Sequence, residues 1–373
     1  MTSSHWKIAS FIIASSAACT APSAAEDPEG GDGAGDLSDL QQAALSSTPV
    51  GYGAATTGGG SKAAVNVATM AAMQAAITAY DGTSGLVLNY TGVFNFATIP
   101  DPCTQHTKAA QIVEIKKKNN ITILGANGSS ANFGLHIAGP SSNVIVRNMT
   151  FGLLPGGDAA DSISIEGMSS GVPSNIWIDH NTIFASLTEC AGAGDASFDG
   201  GIDIKKGANH ITISYNYIHD YQKVALNGFS DKDTINANAR TTYHHNRFEN
   251  VLSRLPLQRF GLTHIYNNYM HNVGTSGINV RMGGLSLIES NVFETVKNPV
   301  TSRDSSAIGF WDLRNNLATG ITWDAGSAGT VNATNFQTTQ AFGSTGYSYT
   351  LTPVASVKAN VLATAGAGTN FAQ

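Results

Sequence analysis

The sequence predicts an all-β fold: a right-handed, single-stranded parallel β-helix closed at its N-terminal end by one short helix. Three observations carry this. From Leu86 onward the apolar residues fall in runs of three to five, rich in β-branched types, such as Ile121-Thr122-Ile123-Leu124, Ile176-Trp177-Ile178 and Ile211-Thr212-Ile213. An asparagine, with an apolar or aromatic residue within two places of it, recurs after these runs at 148, 181, 216, 246, 268, 291 and 316, in steps of 33, 35, 30, 22, 23 and 25. A basal period near 22, lengthened by insertions in the earlier turns, marks a solenoid. The strands of a sandwich would recur every 8–12 residues. Helical spacing appears in one place before the strands, at Met70, Met73, Ile77 and Tyr80.

The elements follow in order. Lys7 precedes an apolar run over residues 8–18 that is too short to span a bilayer and reads as a secretory signal. Ser23-Ala24-Ala25 offers a cleavage site, giving a signal peptide over 1–25; Ser16-Ala17-Ala18-Cys19 offers a lipoprotein exit instead, with a signal over 1–18 and a lipid anchor on Cys19. Residues 26–61 are rich in Gly, Ala, Ser and Asp and read as a flexible linker. Residues 62–373 read as one β-helix domain. Its opening helix has Thr69 as N-cap and stops at Asp81-Gly82. In the coils, one asparagine per turn at the same corner would stack into a ladder, since Asn tolerates the left-handed conformation and its amide bonds along the stack. Residues 317–373, rich in Gly, Ser and Thr, are expected to wrap back over the coils.

Composition narrows the function. The 373 residues carry 20 Lys+Arg against 26 Asp+Glu, a net charge of -6, so no broad nucleic-acid surface is expected and any polyanion must meet a local basic cluster. After residue 18 no stretch is long and apolar enough to span a membrane, and a monomer is expected. Of the three cysteines, Cys103 and Cys190 remain once Cys19 is removed or lipidated; in an oxidising compartment they form a disulfide, and otherwise two free thiols.

Insertions in a solenoid collect on one face, often the binding face, which puts the function between about residues 155 and 260. Acids cluster there. Asp158 and Asp161 follow Pro155-Gly156-Gly157, and Asp199-Gly200-Gly201-Ile202-Asp203 comes one coil later. In a straight strand Asp199 and Asp203 would stand about 13 Å apart. The glycine pair lets the chain turn so that they converge. Carboxylates from separate coils suit Ca2+, which takes six to eight oxygens; the alternative is a set of solvated loop acids. Cations follow: Lys205, on the strand face of Asp203, then Lys223, then Arg254 and Arg259 around Leu255-Pro256-Leu257-Gln258. They bind a polyanion through a metal bridge, or they form structural ion pairs. Zinc and Ser-His-Asp chemistry are not expected, because no HExxH spacing and no G-x-S-x-G elbow occurs.

These segments together resemble the pectate lyases of polysaccharide lyase family 1. The resemblance is carried by Asn175-Ile176-Trp177-Ile178-Asp179-His180, Asp203-Ile204-Lys205, Thr242-Tyr243-His244-His245-Asn246 and Arg254-Leu255-Pro256-Leu257-Gln258-Arg259. Gly277-Ile278-Asn279-Val280-Arg281 and Asn298-Pro299-Val300-Thr301-Ser302-Arg303 continue it. It implies a secreted lyase that needs Ca2+ and cleaves polygalacturonate by β-elimination into 4,5-unsaturated oligogalacturonides. Arg254 then sits where the family's proton-abstracting arginine sits. Lys223 and Arg259, with Lys205 beside them, sit where substrate carboxylates are held. Asp161, Asp199 and Asp203 match Ca2+ ligands, although Asp199 falls where some members have Glu, and Ala159 stands where members often have another Asp. The family also pairs cysteines at the places of Cys103 and Cys190, and Trp177, Asp179 and His180 look like packing residues. An arginine base implies an alkaline optimum, since a guanidinium is protonated at neutral pH. The rivals are a pectin lyase acting on methyl-esterified chains, a glycoside hydrolase with paired carboxylates, and a non-catalytic β-helix that binds polysaccharide.

Overall fold

A computed structural model describes residues 48–193 and 197–368. The expected signal segment, Cys19 and the first part of the linker lie outside the described residues. The chain winds as a right-handed parallel β-helix with three sheets of ten, seven and nine strands. One coil shows the pattern: Ile202–Lys205 joins the nine-stranded sheet, Asn209–Ser214 the ten-stranded sheet and Tyr217–Lys223 the seven-stranded sheet, before Ala225–Asn227 starts the next rung. Successive rungs pair in parallel register, as in Ile202 with Ala225, Ile213 with Tyr243 and Ile218 with Phe248. Val331–Asn332 pairs antiparallel with Val300–Ser302.

Side chains alternate across each strand, so one set points into the coil and stacks on its neighbours above and below. Ile123, Val146, Ile178, Ile213, Tyr243, Ile265 and Ile288 follow one another through seven rungs, all fully buried. Each such aliphatic residue contributes about 1.5–3 kcal/mol by leaving water. The interior is filled by these stacks and leaves function to the outside.

The helix forms where the apolar stripe placed it, as α1, Met70–Ala79. Thr69 Oγ1 accepts the Ala72 N–H at 3.1 Å, Met73 and Ile77 are buried, and the Asp81 carboxylate accepts the N–H groups of Thr83 and Ser84 to turn the chain. Gln74 bonds both backbone groups of Glu114, so α1 satisfies an edge strand, Ile112–Lys116, of the nine-stranded sheet.

The asparagine ladder is present with one change of register. Asn181, Asn216, Asn246, Asn268, Asn291 and Asn316 pass amide hydrogen bonds of 2.9–3.1 Å up the stack. Asn148 is not a member: the N–H of Met149 donates to Asn181 Oδ1 at 3.0 Å, so Met149 holds the ladder place. Nor do the ladder asparagines carry the left-handed turn. The residue before each does, at His180, Tyr215, His245, Asn267, Ser290 and Asn315, with φ between 47° and 54°. Asn148, with φ 58°, belongs to that second series. The corner is a two-residue unit, and backbone geometry rather than residue type assigns the two roles.

The linker expected over 26–61 ends earlier than its composition suggests. Residues 48–61 lie along the ten-stranded sheet, where the N–H groups of Tyr52, Gly53 and Gly59 donate to Thr242, Thr212 and Thr122 Oγ1, each at 3.0 Å. The glycines that read as flexibility serve close approach instead: a Cβ on Gly53 would stand 2.8 Å from the Thr212 nitrogen. The C-terminal segment does fold back. Its helix, Val354–Thr364, buries Val357 and Val361 against Tyr269 and Val292 of the seven-stranded sheet. No helix among the described residues is long and apolar enough to cross a membrane.

Candidate active site

The nine-stranded sheet and the turns that enter it from the seven-stranded sheet carry the chemistry. Asp161 follows the turn Gly157–Ala159, Asp199 ends the long insertion after Thr182–Phe184, and Asp203 lies in Ile202–Lys205. Carboxylate oxygens of the three lie within 4.8 Å of one another. Asp161 and Asp203 are buried, and Asp199 is half-buried. The insertion is held by the expected disulfide, Cys103–Cys190, with Cα atoms 5.4 Å apart. The Cys190 N–H donates to Ser197 Oγ at 2.8 Å, two residues before Asp199.

Gly200 contributes space. A Cβ there would sit 2.2 Å from Asp203 Oδ1 and 2.9 Å from Asp161 Oδ1. Its N–H donates to Asp161 Oδ1 at 3.0 Å. The glycine was expected to let the chain turn; in the structure its missing side chain leaves room for the carboxylates to meet.

Two ammonium groups answer the acids. Lys205 Nζ is 2.6 Å from Asp161 Oδ2 and 3.4 Å from Asp203 Oδ2. Lys223 Nζ is 2.8 Å from Asp158 Oδ1 and 3.2 Å from Asp199 Oδ1. The neutralisation is incomplete. Burial, then the charge of Asp161, pushes Asp199 up to about 6, and the same causes raise Asp203 well above the carboxylate range. Asp203 Oδ1 is buried and has no hydrogen-bond partner among the described residues. Three hard oxygen donors, an orphaned oxygen and a cradle that a single methyl would fill suit Ca2+. The only group of three or more metal-competent side chains among the described residues is this one, and its donors are all carboxylate oxygens.

Beyond the acids the cleft is cationic. Arg254 sits at the turn between Arg247–Ser253 and Leu257–Arg259, just before the cis Leu255-Pro256 bond. Its φ is 70°, the left-handed conformation that this coil also uses at many of its structural turns. Neighbouring rungs hold it there: its carbonyl accepts the Ala225 N–H at 2.9 Å, and the next residue, Leu255, donates to Gly277 O at 3.1 Å. Its charge acts on Asp203 and Arg281, and it forms no ion pair among the described residues. Arg259 Nε is 2.7 Å from Asp231 Oδ1. Burial works against that carboxyl, yet the Ser306 N–H and Arg259 hold it down to about 2.

One cation was not singled out from the sequence as a site residue. Arg281 stands in register beside Arg259 on the next rung, 8% exposed, and its Nε has no partner among the described residues. Burial first, then the charge of Arg259, pushes it down to about 10. The signal was available, because 281 follows 259 by the basal period of 22. Trp177, Asp179 and His180 lie instead on the ten-stranded sheet, away from the cleft. Asp179 is fully buried and takes Arg147 Nε at 2.7 Å, His180 Nδ1 at 2.6 Å and Ser214 Oγ at 2.6 Å, a packing role.

The chain as a whole is similar to known proteins. A family model described as pectate lyase matches residues 33–370. Pectate lyase 3 of Pectobacterium carotovorum is 46% identical over 307 residues, 78% of this chain and 80% of its own. The solved structure of pectate lyase II from Xanthomonas campestris pv. campestris is 67% identical, with a TM-score of 0.86 over 87% of this chain and 100% of that one. Pectate lyase C from Erwinia chrysanthemi, solved at pH 9.5 with 30 mM Ca2+, is 41% identical with a TM-score of 0.80 over 88% of this chain and 98% of that one. An arginine-to-lysine mutant of pectate lyase C has been solved in complex with pentagalacturonic acid. With a family match over most of its length and relatives this similar, the chain belongs to the pectate lyases, a family of polysaccharide lyases.

Proposed function

We propose that the protein is a secreted pectate lyase that cleaves α-1,4-linked polygalacturonate by calcium-dependent β-elimination. The observation that carries this reading is a cleft in which Asp161, Asp199 and Asp203 converge beside Lys205, Lys223, Arg254, Arg259 and Arg281. A polymer with one carboxylate per sugar matches that alternation of metal-competent and cationic groups. The Ca2+ neighbour and the pentagalacturonic acid complex support it by similarity.

The three aspartates would hold Ca2+, which supplies positive charge against the substrate carboxylate and so stabilises the negative charge that develops there. Lys223 and Arg259 bind sugar carboxylates, and Arg281 extends the row by one rung. Lys205 spans the acids and the substrate side. Arg254 removes the proton on C5, α to the carboxylate; those electrons form the C4–C5 double bond, and the C4–O4 bond breaks with its electron pair leaving on the oxygen, which takes a proton from water to become the hydroxyl of the released chain. A guanidine acts as a base only when neutral, a scarce form at neutral pH, so the rate rises into the alkaline range. The disulfide fits export to an oxidising compartment.

The test is ultraviolet absorbance of the 4,5-unsaturated product on de-esterified polygalacturonate, with Ca2+ and with chelator. Reducing ends without that absorbance would indicate hydrolysis. Activity confined to highly esterified pectin, indifferent to chelator, would indicate a pectin lyase. Binding without cleavage would leave a polysaccharide-binding β-helix.

A further inference from the structure

The cleft does not end at the acids. A recess of about 180 Å3 beside Asp161, Asp199 and Lys205 reaches His136 and Glu166, and a second cavity of about 440 Å3 continues from those two residues to Met168, Lys206 and Ile235. The two halves differ in chemistry. In the second, the charges are spent on each other: Lys206 Nζ is 2.5 Å from Glu166 Oε1, and His136 Nδ1 lies 3.0 Å from Glu114 while its Nε2 lies 3.4 Å from Glu166. Glu166 is the one carboxylate lining this cavity and Lys206 is paired with it, so a sugar carboxylate finds no unpaired ammonium there. The rim is apolar and open. Ile235 is 55% exposed, Met168 38% and Phe229 48%, with Lys206 Nζ 5.6 Å from the Phe229 ring centre. Exposed apolar side chains along a polar groove mark a ligand-binding surface.

We propose that this second cavity is a distal subsite for an uncharged, methyl-esterified galacturonate residue. The inference rests on the pectate lyase reading above and deepens it: the enzyme takes partly esterified pectin in a fixed pattern, free carboxylates along the cationic stretch and an ester over Met168 and Ile235. Continuity through His136 and Glu166 keeps the occupant on the same polymer chain. The Lys206–Glu166 pair leaves no ammonium to hold a free carboxylate, and an ester methyl leaves water against Met168 and Ile235.

The experiment compares kcat/KM on polygalacturonate and on pectins of low, intermediate and high random methyl-esterification, with saturating Ca2+, for the full enzyme and for the I235D and I235L variants. Mass spectrometry locates the methyl groups relative to the newly formed unsaturated end. Expected is a wild-type maximum at intermediate esterification, with methyl groups enriched at one fixed distance from the cut. One well-buried methyl supports a preference of about fourfold. I235D should lower the ratio of esterified to de-esterified kcat/KM by about that factor and scatter the methyl positions, while I235L retains both. A wild-type rate that falls steadily with esterification, or an I235D profile identical to wild type, overturns the proposal. Absence of calcium-dependent cleavage of polygalacturonate itself overturns the underlying lyase reading, and the subsite with it.

Discussion

Lys205 Nζ lies 2.6 Å from Asp161 Oδ2, inside the acidic cluster that suits a metal ion. The ammonium offsets part of the repulsion among the three acids, and the acids in turn act on it. Although burial works the other way, Asp203 and Asp161 raise its pKa well above the lysine range, so it stays charged. A cation entering the cluster must share these oxygens with it.

Replacing Lys205 by alanine therefore leaves three crowded carboxylates with less compensation. The metal-free variant should melt lower than wild type, and Ca2+ should raise its melting temperature by more. Removing an ammonium from this largely buried cluster changes Ca2+ affinity by roughly 1 kcal/mol or more, at least about fivefold. Thermal melts with and without Ca2+ decide it; a smaller calcium shift in K205A than in wild type counts against Lys205 as a competitor for the site.

Gly200→Ala tests the cradle directly. Its Cβ would press on Asp203 Oδ1 at 2.2 Å, so the carboxylates must part. The expected result is loss of calcium-induced stabilisation at Ca2+ concentrations that saturate wild type, and loss of turnover matching that of chelator-treated wild type. Undiminished Ca2+ binding by calorimetry would show that these oxygens are not the ligands.

Arg254→Lys and Arg254→Ala should fold, bind Ca2+ and bind oligogalacturonate, yet lose turnover by roughly 10²–10⁴-fold, the usual contribution of a positioned base. The wild-type rate should climb from neutral to alkaline pH. An acidic optimum, or R254A turnover within tenfold of wild type, would remove Arg254 from the base role.

A pH effect on stability is expected away from the cleft. His245 stacks on Tyr215 with ring centres 4.8 Å apart, and Nε2 lies 3.0 Å from Thr352 Oγ1. Burial, then the charge of His180, lowers it to about 3; burial, then His245, holds His244 well below its ordinary value. Both are neutral when folded and take protons when unfolded below about pH 6.5. Stability is thus fully present above about pH 6.5 and is lost as pH falls from there toward the folded values, by up to about 1.4 kcal/mol per pH unit for each histidine. Urea midpoints between pH 7 and pH 5 should fall less steeply in H245Q than in wild type. Parallel declines would assign the pH sensitivity elsewhere.

The ladder should be structural. The Asn246 amide donates to Ile213 O and Asn268 Oδ1, and its oxygen accepts from the backbone and the amide of Asn216, each at 2.9–3.0 Å. Asn246→Ala strands these buried groups and should cost about 2–4 kcal/mol by denaturant unfolding. Catalytic parameters of the molecules that remain folded should be little changed.

Much of this molecule is readable along the chain because a solenoid maps sequence spacing onto stacking. The period of 22 announces the rungs, and the stripe from Met70 to Tyr80 announces α1. The residue types of Asp161, Asp199, Asp203, Lys205, Lys223, Arg254 and Arg259 announce a metal-competent, cationic cleft. The same arithmetic reaches Arg281 only when the rung register is known. It misassigns Asn148, because the hydrogen bond from Met149 to Asn181, rather than residue type, decides which corner residue joins the ladder.

The sequence by itself determined the β-helix and the cast of the cleft, since local propensity and repeat length are properties of neighbouring residues. Tertiary structure alone decided that Asp161 meets Asp199 across 38 residues, that Gly200 is small to make room for carboxylates, and that residues 48–61 lie against Thr122, Thr212 and Thr242. Each of these depends on what another coil places opposite the residue, and burial beside like charges exists only once the coils have closed around it.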